Sequence, residues 1–179
     1  MEEASDEELM GRVADADARA FETLARRHAD RAFVLAFRIT RNRADADEIV
    51  QEAMLRVWVS APRWRPDAAF RTWLYRILVN LCLDRKRHAP FAAIDAAGDP
   101  PDTSPDAVAR LEADETGRLV AAALHELPER QRVALVLTYY EGCSNAETAA
   151  VLATSVSSIE ALLVRAKRTL RRTLGPLME

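Results

Sequence analysis

The sequence predicts an all-α protein built as two small helical domains joined by a flexible acidic linker. Three observations lead there. Apolar residues recur at three- and four-residue spacing through both halves of the 179-residue chain, with no run of alternating β-branched residues. Ser and Asp stand before those runs at positions suited to helix capping. Between the halves, residues 88–106 read HAPFAAIDAAGDPPDTSPD, holding four of the eight prolines and no persistent helical period. The expected division is 1–88, a linker at 89–106, and 107–179.

The elements follow in order. Ser5 before Asp6, Glu7 and Glu8 is an N-cap with acids in the first turn, where they favour the helix dipole. Asp17 caps a long second helix with apolar positions at Phe21, Leu24, Ala25, Phe33, Val34 and Phe37, which Thr40–Asn42 ends. A third helix is expected over about Ala44–Ser60, carrying Ile49, Val50, Ala53, Leu55, Val57 and Trp58. Pro62 and Pro66 bracket a loop containing Trp64, and a fourth helix over about Ala68–Arg87 carries Phe70, Trp73, Leu74, Ile77, Leu78 and Leu81. In the second half, Ser104-Pro105 opens a helix over about 106–125, and Leu127-Pro128-Glu129 opens another ending near Glu141-Gly142. Ser144, with Glu147 three residues on, forms a capping box for a short helix Asn145–Leu152; Ser155 caps the last helix, through about Arg172.

The formal net charge is −3, which on its face speaks against nucleic-acid binding, since stand-alone binding domains are commonly strongly basic. The distribution reverses that impression. Residues 1–17 and 89–116 are each net −6, whereas 63–88 and 161–174 are each net +5. Charge runs on helices are commonly just solvated faces, but here two basic blocks fall at matching places in two modules. Catalytic classes find no support: His28, His88 and His125 are scattered, there is no glycine-rich phosphate loop, and Cys82 and Cys143 provide neither a zinc set nor a disulfide framework. No cofactor or metal is expected. Cys82 lies on the apolar side of its helix; Cys143, after Gly142, leaves a redox role open. No apolar run reaches the ~18 residues of a membrane span, and the acidic start lacks the build of a signal peptide; the expected location is cytoplasmic, without membrane insertion.

A short helix, a tight turn and a longer second helix form a helix-turn-helix layout: Asn145–Leu152, Ala153–Ser155 and Val156–Arg172. Ala149, Leu152, Val156, Ile159, Leu162 and Leu163 are placed to pack these helices on the one before. The start of the second helix would present Ser155, Ser157, Ser158, Glu160 and Ala161 to a major groove, with Arg165, Lys167, Arg168, Arg171 and Arg172 further along for phosphates or solvent. A helical hairpin of this pattern also serves purely structural ends.

At this level of detail the chain resembles a family. Leu127-Pro-Glu-Arg-Gln-Arg, followed by VLTYYEGCSNAETA and by Ser155-Val-Ser-Ser-Ile and Arg165-Ala-Lys-Arg, resembles region 4 of extracytoplasmic-function sigma factors. Asp45-Ala-Asp-Glu-Ile-Val-Gln-Glu-Ala-Met-Leu-Arg-Val-Trp58 resembles their region 2 stretch "DAEDLVQEtflrvW". FRTWLYRILVN at 70–80 with Asp84-Arg-Lys-Arg87 resembles "F..WL..Ia.N...d..R". The resemblance covers about 10–175, with the motifs in family order. It implies that the 45–58 helix docks on the clamp helices of the largest subunit of core RNA polymerase, through Asp47, Glu48, Gln51, Glu52 and Leu55. An ordinary amphipathic helix with a solvated acidic face has the same composition.

The resemblance also implies that the loop Ala61–Ala69 and the helix after it handle the −10 promoter element, where holding an unstacked base takes aromatic surface, amides and cations. Trp64, Arg76, Asn80, Arg85 and Lys86 are the candidates; Phe70 and Trp73 also suit the core. For the −35 element the candidates are Ser155, Ser157, Ser158, Glu160, Arg165, Lys167 and Arg168. The chain departs from the family where "VKSRL" is usual: it has Ile159-Glu-Ala-Leu-Leu163, so Glu160 and Leu162 replace cations, and Ala153 stands where the turn often has Gly. Glu160 can accept from cytosine N4, or act as a surface acid opposing phosphate. The implied partners are core RNA polymerase, promoter DNA and an anti-sigma factor. The rival is an autonomous helix-turn-helix regulator.

Overall fold

The first helix is held by its ends. The structure, a computed structural model, describes residues 4–88 and 115–175, and their side chains except for 86–88, 115 and 116. Helix α1 (Asp6–Ala14) begins at a reciprocal capping box: Ser5 Oγ accepts from Glu8 N, and Glu8 Oε2 accepts from Ser5 N at 2.7 Å. Those bonds hold the Glu8 carboxyl below its ordinary pKa. Asp17 caps α2 (Ala18–Thr40) by accepting from the amides of Arg19 and Ala20, and also binds Arg12 at 2.7 Å across the turn. Asn42 caps α3 (Arg43–Ser60), which starts one residue before the expected Ala44. A single 3₁₀ turn, Ala61–Arg63, contains Pro62.

Helix α4 (Phe70–His88) starts two residues later than expected. Its first amide is capped from outside, Phe70 N donating to Glu7 Oε1 at 3.1 Å, so α1 and α4 are joined end to end. Glu7→Ala is expected to cost about 1 kcal/mol, as for other lost N-caps; urea unfolding monitored by circular dichroism measures it.

The core of the first unit differs in register from the apolar pattern along α2. Phe33, Val34 and Phe37 are only half-buried, and the residues turned fully inward are Leu24, Ala32, Leu35, Ala36 and Ile39. Ala46 and Ala53 of α3 are equally buried. Small side chains let two long helices pack closely, and the aromatic rings cover the seam from outside; Phe21, for instance, sits edge-on to Trp58 at 5.3 Å. Phe70, Leu74 and Leu78 complete the core from α4, with Cys82 buried beyond them.

The second unit comprises α5 (Glu115–Glu126), α6 (Glu129–Leu135), α7 (Asn145–Val151) and α8 (Val156–Leu174). The expected linker 89–106 and the first part of the helix expected over 106–125 lie outside the described residues. Arg132 of α6 is buried, with Nη1 donating to His125 O at 2.9 Å. The helix expected to run to Glu141 instead widens after Leu135 into a π turn, Val136–Tyr140, in which Glu141 N reaches back to Val136 O at 3.1 Å. Gly142 ends it at φ +66, a left-handed conformation that favours glycine. A second capping box, Ser144 with Glu147, opens α7 as expected.

Helices α7 and α8 meet at 101°, within the range of helix-turn-helix pairs. The turn holds Ala153 at φ 49, a conformation costing a non-glycine residue about 1 kcal/mol. Ile159, Leu163 and Ala166 are buried, whereas Val156, expected to pack, is exposed, because α8 turns its first residues outward. Among the described residues there is no strand, and no single helix is long and apolar enough to cross a membrane.

The two units pack on each other. Glu141, at the end of the π turn, reaches into the first unit: Tyr75 Oη donates to its Oε2 at 2.7 Å and Arg31 Nε at 2.9 Å. Arg71 of α4 pairs with Glu147 of α7 at 3.3 Å.

Candidate functional site

Three surfaces carry the sequence candidates. The first is the outer face of α3. With Ala46, Ile49, Ala53 and Val57 inward, Asp47, Gln51, Leu55 and Val59 fall on one exposed line, and Glu48 and Glu52 stand beside it. Glu48 and Glu52 already hold cations: Glu48 pairs with Arg85 at 2.6 Å, and Glu52 with Arg56 one turn on at 2.8 Å. Leu55 is 56% and Val59 66% exposed, two bare aliphatic side chains four residues apart. Val59 escaped the sequence reading; its spacing from Leu55 is the signal that would have found it.

The second surface is a cleft of about 400 Å³ between the 3₁₀ turn and α4, lined by Arg63, Trp64, Arg65, Thr72, Trp73 and Arg76. The half-buried Trp64 ring stands edge-on to Trp73 at 6.3 Å and to Phe70 at 6.5 Å, so the indole is held by packing. Arg63 and Arg65 are exposed on either side of it. Neither was singled out in the sequence, although both belong to the basic block. Asn80 is exposed one turn beyond Arg76. Arg85 does not reach the cleft: its guanidinium is turned to α3, bonded to Asp45 at 2.8 Å and to Glu48, which raises its pKa. The Lys86 side chain lies outside the described ones. Two aromatics of this segment are not surface groups: Phe70 and Tyr75 are buried. Burial and the Glu141 carboxylate push the Tyr75 phenol well above its usual pKa, so it stays a neutral donor.

The third surface is the outer face of α8. Ser155 caps the helix, its Oγ accepting from Ser158 N at 3.2 Å and lying 3.0 and 2.8 Å from the Ser157 and Ser158 hydroxyls. The serines therefore have local partners, while Ser157, Glu160, Ala161, Val164, Arg165 and Arg168 line the exposed side. Glu160, Arg165 and Arg168 make no ion pair among the described residues. Lys167 leans over the Tyr139 ring at 4.8 Å, which places its ammonium beside the π turn. Among the described residues no His, Cys, Asp or Glu grouping could hold a metal. Cys143 is buried, and burial raises its thiol pKa, which keeps it protonated and opposes the redox role left open by sequence.

Comparison with known proteins adds the following. Residues 24–90 match the family Sigma-70 region 2, and residues 117–170 match Sigma-70, region 4. The chain is 39% identical over 178 residues to the ECF RNA polymerase sigma factor SigM of Mycobacterium tuberculosis, covering 97% of this chain and 86% of that protein. It is 28% identical to the ECF RNA polymerase sigma-E factor of Escherichia coli, covering 99% and 98%. Among solved structures, CnrH in complex with the cytosolic domain of CnrY superposes with a TM-score of 0.75 at 29% identity, covering 97% of this chain and 99% of CnrH. The sigma factor RpoE of Bartonella quintana, solved with the anti-sigma factor NepR, shares the fold with a TM-score of 0.70 at 20% identity, covering 88% and 98%.

Proposed function

Since the chain belongs to the extracytoplasmic-function group of sigma-70 RNA polymerase sigma factors, we propose which of its surfaces serve each step of promoter-specific initiation. The 1–88 unit binds core polymerase through the α3 stripe of Asp47, Glu48, Gln51, Glu52 and Leu55, extended by Val59. The same unit takes the −10 element in its tryptophan–arginine cleft. Trp64 offers a stacking face and Arg63, Arg65 and Arg76 offer cations, the combination an unstacked single strand needs. Asn80 and Lys86 extend that path along α4, and Arg85 joins it once its bonds to Asp45 and Glu48 open. The 107–179 unit lays α8 in the major groove of the −35 element, reading bases with Ser157, Glu160 and Ala161. Arg165, Lys167 and Arg168 meet phosphates there. The protein takes no catalytic part; the polymerase supplies the chemistry, in the cytoplasm. An anti-sigma factor restrains it, a reading supported by the complexes in which CnrH and the Bartonella RpoE were solved.

One observation carries this reading. A single chain presents a helix-turn-helix with an exposed reading face and, in a separate unit, a cleft suited to an unpaired strand. An autonomous regulator needs only the first, and nothing in its work uses the bare Leu55–Val59 stripe. The test is gel-shift of promoter DNA with the protein alone and with core polymerase. A specific shift is expected only with core; a tight specific shift by the protein alone would favour the autonomous regulator.

Within this reading Glu160 selects a base. Glu160→Ala is expected to relax the preference at one −35 position, by the ~1–3 kcal/mol that a good contact to a base edge contributes. Binding to a library randomised over the −35 element measures it; an unchanged preference at every position removes Glu160 from the reading face.

A further inference from the structure

The first turn of α1 spends its acids on groups that support the tryptophan–arginine cleft. Glu7 Oε1 accepts at 3.1 Å from the amide of Phe70, the residue that begins α4. Asp6 Oδ2 lies 2.6 Å from Nε2 of His28 on α2; an ionised carboxylate only accepts, so the imidazole donates. Arg27, the neighbour of His28, donates from Nη1 to Asp6 Oδ1 at 3.0 Å and to Ala4 O at 2.7 Å. Asp6 is thus held on both oxygens, and the start of α1 is tied to α2 and α4 together.

These bonds converge on one ring. The His28 imidazole lies against Phe70, centroids 5.1 Å apart and tilted by 60°. Phe70 is 1% exposed and meets both indoles of the cleft, Trp73 at 5.9 Å and Trp64 at 6.5 Å. A continuous line of contacts therefore runs from Asp6 through His28 and Phe70 to Trp64. On the other side of Trp64, α1 packs against the 3₁₀ turn, whose Ala61 is buried. One helix anchors both ends of the segment between that turn and α4. Residues 65–69 of the segment are all exposed, so the indole takes its place from the anchors rather than from its own neighbours in sequence.

We propose that Glu7 and His28 are positioning residues for capture of the −10 strand: they touch no DNA, and through Phe70 they hold Trp64 where an unstacked base can meet it beside Arg76. The proposal rests on the reading of the cleft as the −10 site. Glu7 fixes the backbone of Phe70 and His28 fixes its ring, so two independent restraints act on the residue that carries the indole. A surface already in place binds more tightly than one that must be ordered on contact, because ordering a loop and its side chains opposes association. The acids that favour the dipole of α1 thereby have a second task at the cleft.

The test uses the full chain with core polymerase on a genomic fragment from which the protein starts transcription. Permanganate reactivity of thymines reads strand capture, and gel-shift reads duplex binding. Glu7→Ala and His28→Ala are each expected to lower strand capture about tenfold, the cost of ordering one or two freed side chains, with duplex binding unchanged. Glu7→Gln keeps an oxygen for the Phe70 amide and is expected to restore capture. Asp17→Ala removes a helix cap of comparable strength from α2 and is expected to capture the strand as the parent does, which separates positioning from a general loss of stability. On a Trp64→Ala background Glu7→Ala is expected to cost nothing further, since residues that act through one another are not additive. If Glu7→Ala and His28→Ala capture the strand normally while Trp64→Ala does not, the cleft reading stands and the positioning role is refuted. Losses that add fully to that of Trp64→Ala, or an equal loss in Asp17→Ala, refute it as well. If Trp64→Ala and Arg76→Ala also capture the strand normally, the cleft reading fails and the proposal falls with it.

Discussion

Gln51→Lys combined with Glu52→Lys is expected to weaken core-polymerase binding by about two orders of magnitude, or ~2.7 kcal/mol. The two side chains stand on the exposed face of α3, next to Leu55 and Val59, and Glu52 has only an exposed pair with Arg56 to lose. Such a pair contributes about 0.3–0.5 kcal/mol to the fold, so thermal unfolding should barely move. The binding loss is larger because like charges forced together at an interface cost several kcal/mol. Fluorescence titration of labelled protein against core enzyme provides the number. Unchanged affinity in a folded variant would remove the α3 stripe from the interface.

Trp64→Ala is expected to reduce open-complex formation at a cognate promoter about tenfold or more, following the ~1–3 kcal/mol that stacking a base on an aromatic ring contributes. The indole also packs on Trp73 and Phe70, so this variant alone confounds stacking with support of the turn. Arg76→Ala separates them, since Arg76 is exposed and lines the same cleft. It should lower strand capture while leaving unfolding unchanged. Permanganate footprinting reads thymine exposure in both, and gel-shift with core enzyme reads duplex binding, which should persist. Normal thymine reactivity in both variants would place strand capture elsewhere.

Local features of this protein were legible in its sequence because they are decided within a few residues. Ser5, Asp17, Ser144 and Ser155 cap the helices they precede, and the two capping boxes form between residues three apart. The α3 stripe was named through the family resemblance, since the apolar pattern groups Leu55 with Ala53 and Val57 and only the fold turns it outward. Matters decided by distant partners were not legible. Phe33 and Phe37 look like core in a hydrophobicity pattern, but Ala32, Leu35, Ala36 and Ile39 take the inward positions beside them, a choice of face that the partner helices decide. Arg85 reads as one of a run of cations, and only the fold turns it onto Asp45 and Glu48. Glu141 reads as an ordinary helix-ending acid, while its partners lie 66 to 110 residues away.

The net charge of −3 takes on a narrower meaning in this light. Affinity for DNA grows with phosphate contacts, and acids near a basic face oppose it. Here glutamates of one unit are placed on arginines of the other. A chain so arranged suits a specificity subunit that depends on polymerase to hold DNA.

The most direct test of that claim is transcription from genomic fragments by core polymerase, with and without this protein. Discrete transcripts with defined start sites are expected, appearing only when the protein is added and vanishing with the Gln51→Lys, Glu52→Lys variant. Core enzyme that gains no new start sites, although the protein is folded and in excess, would contradict it.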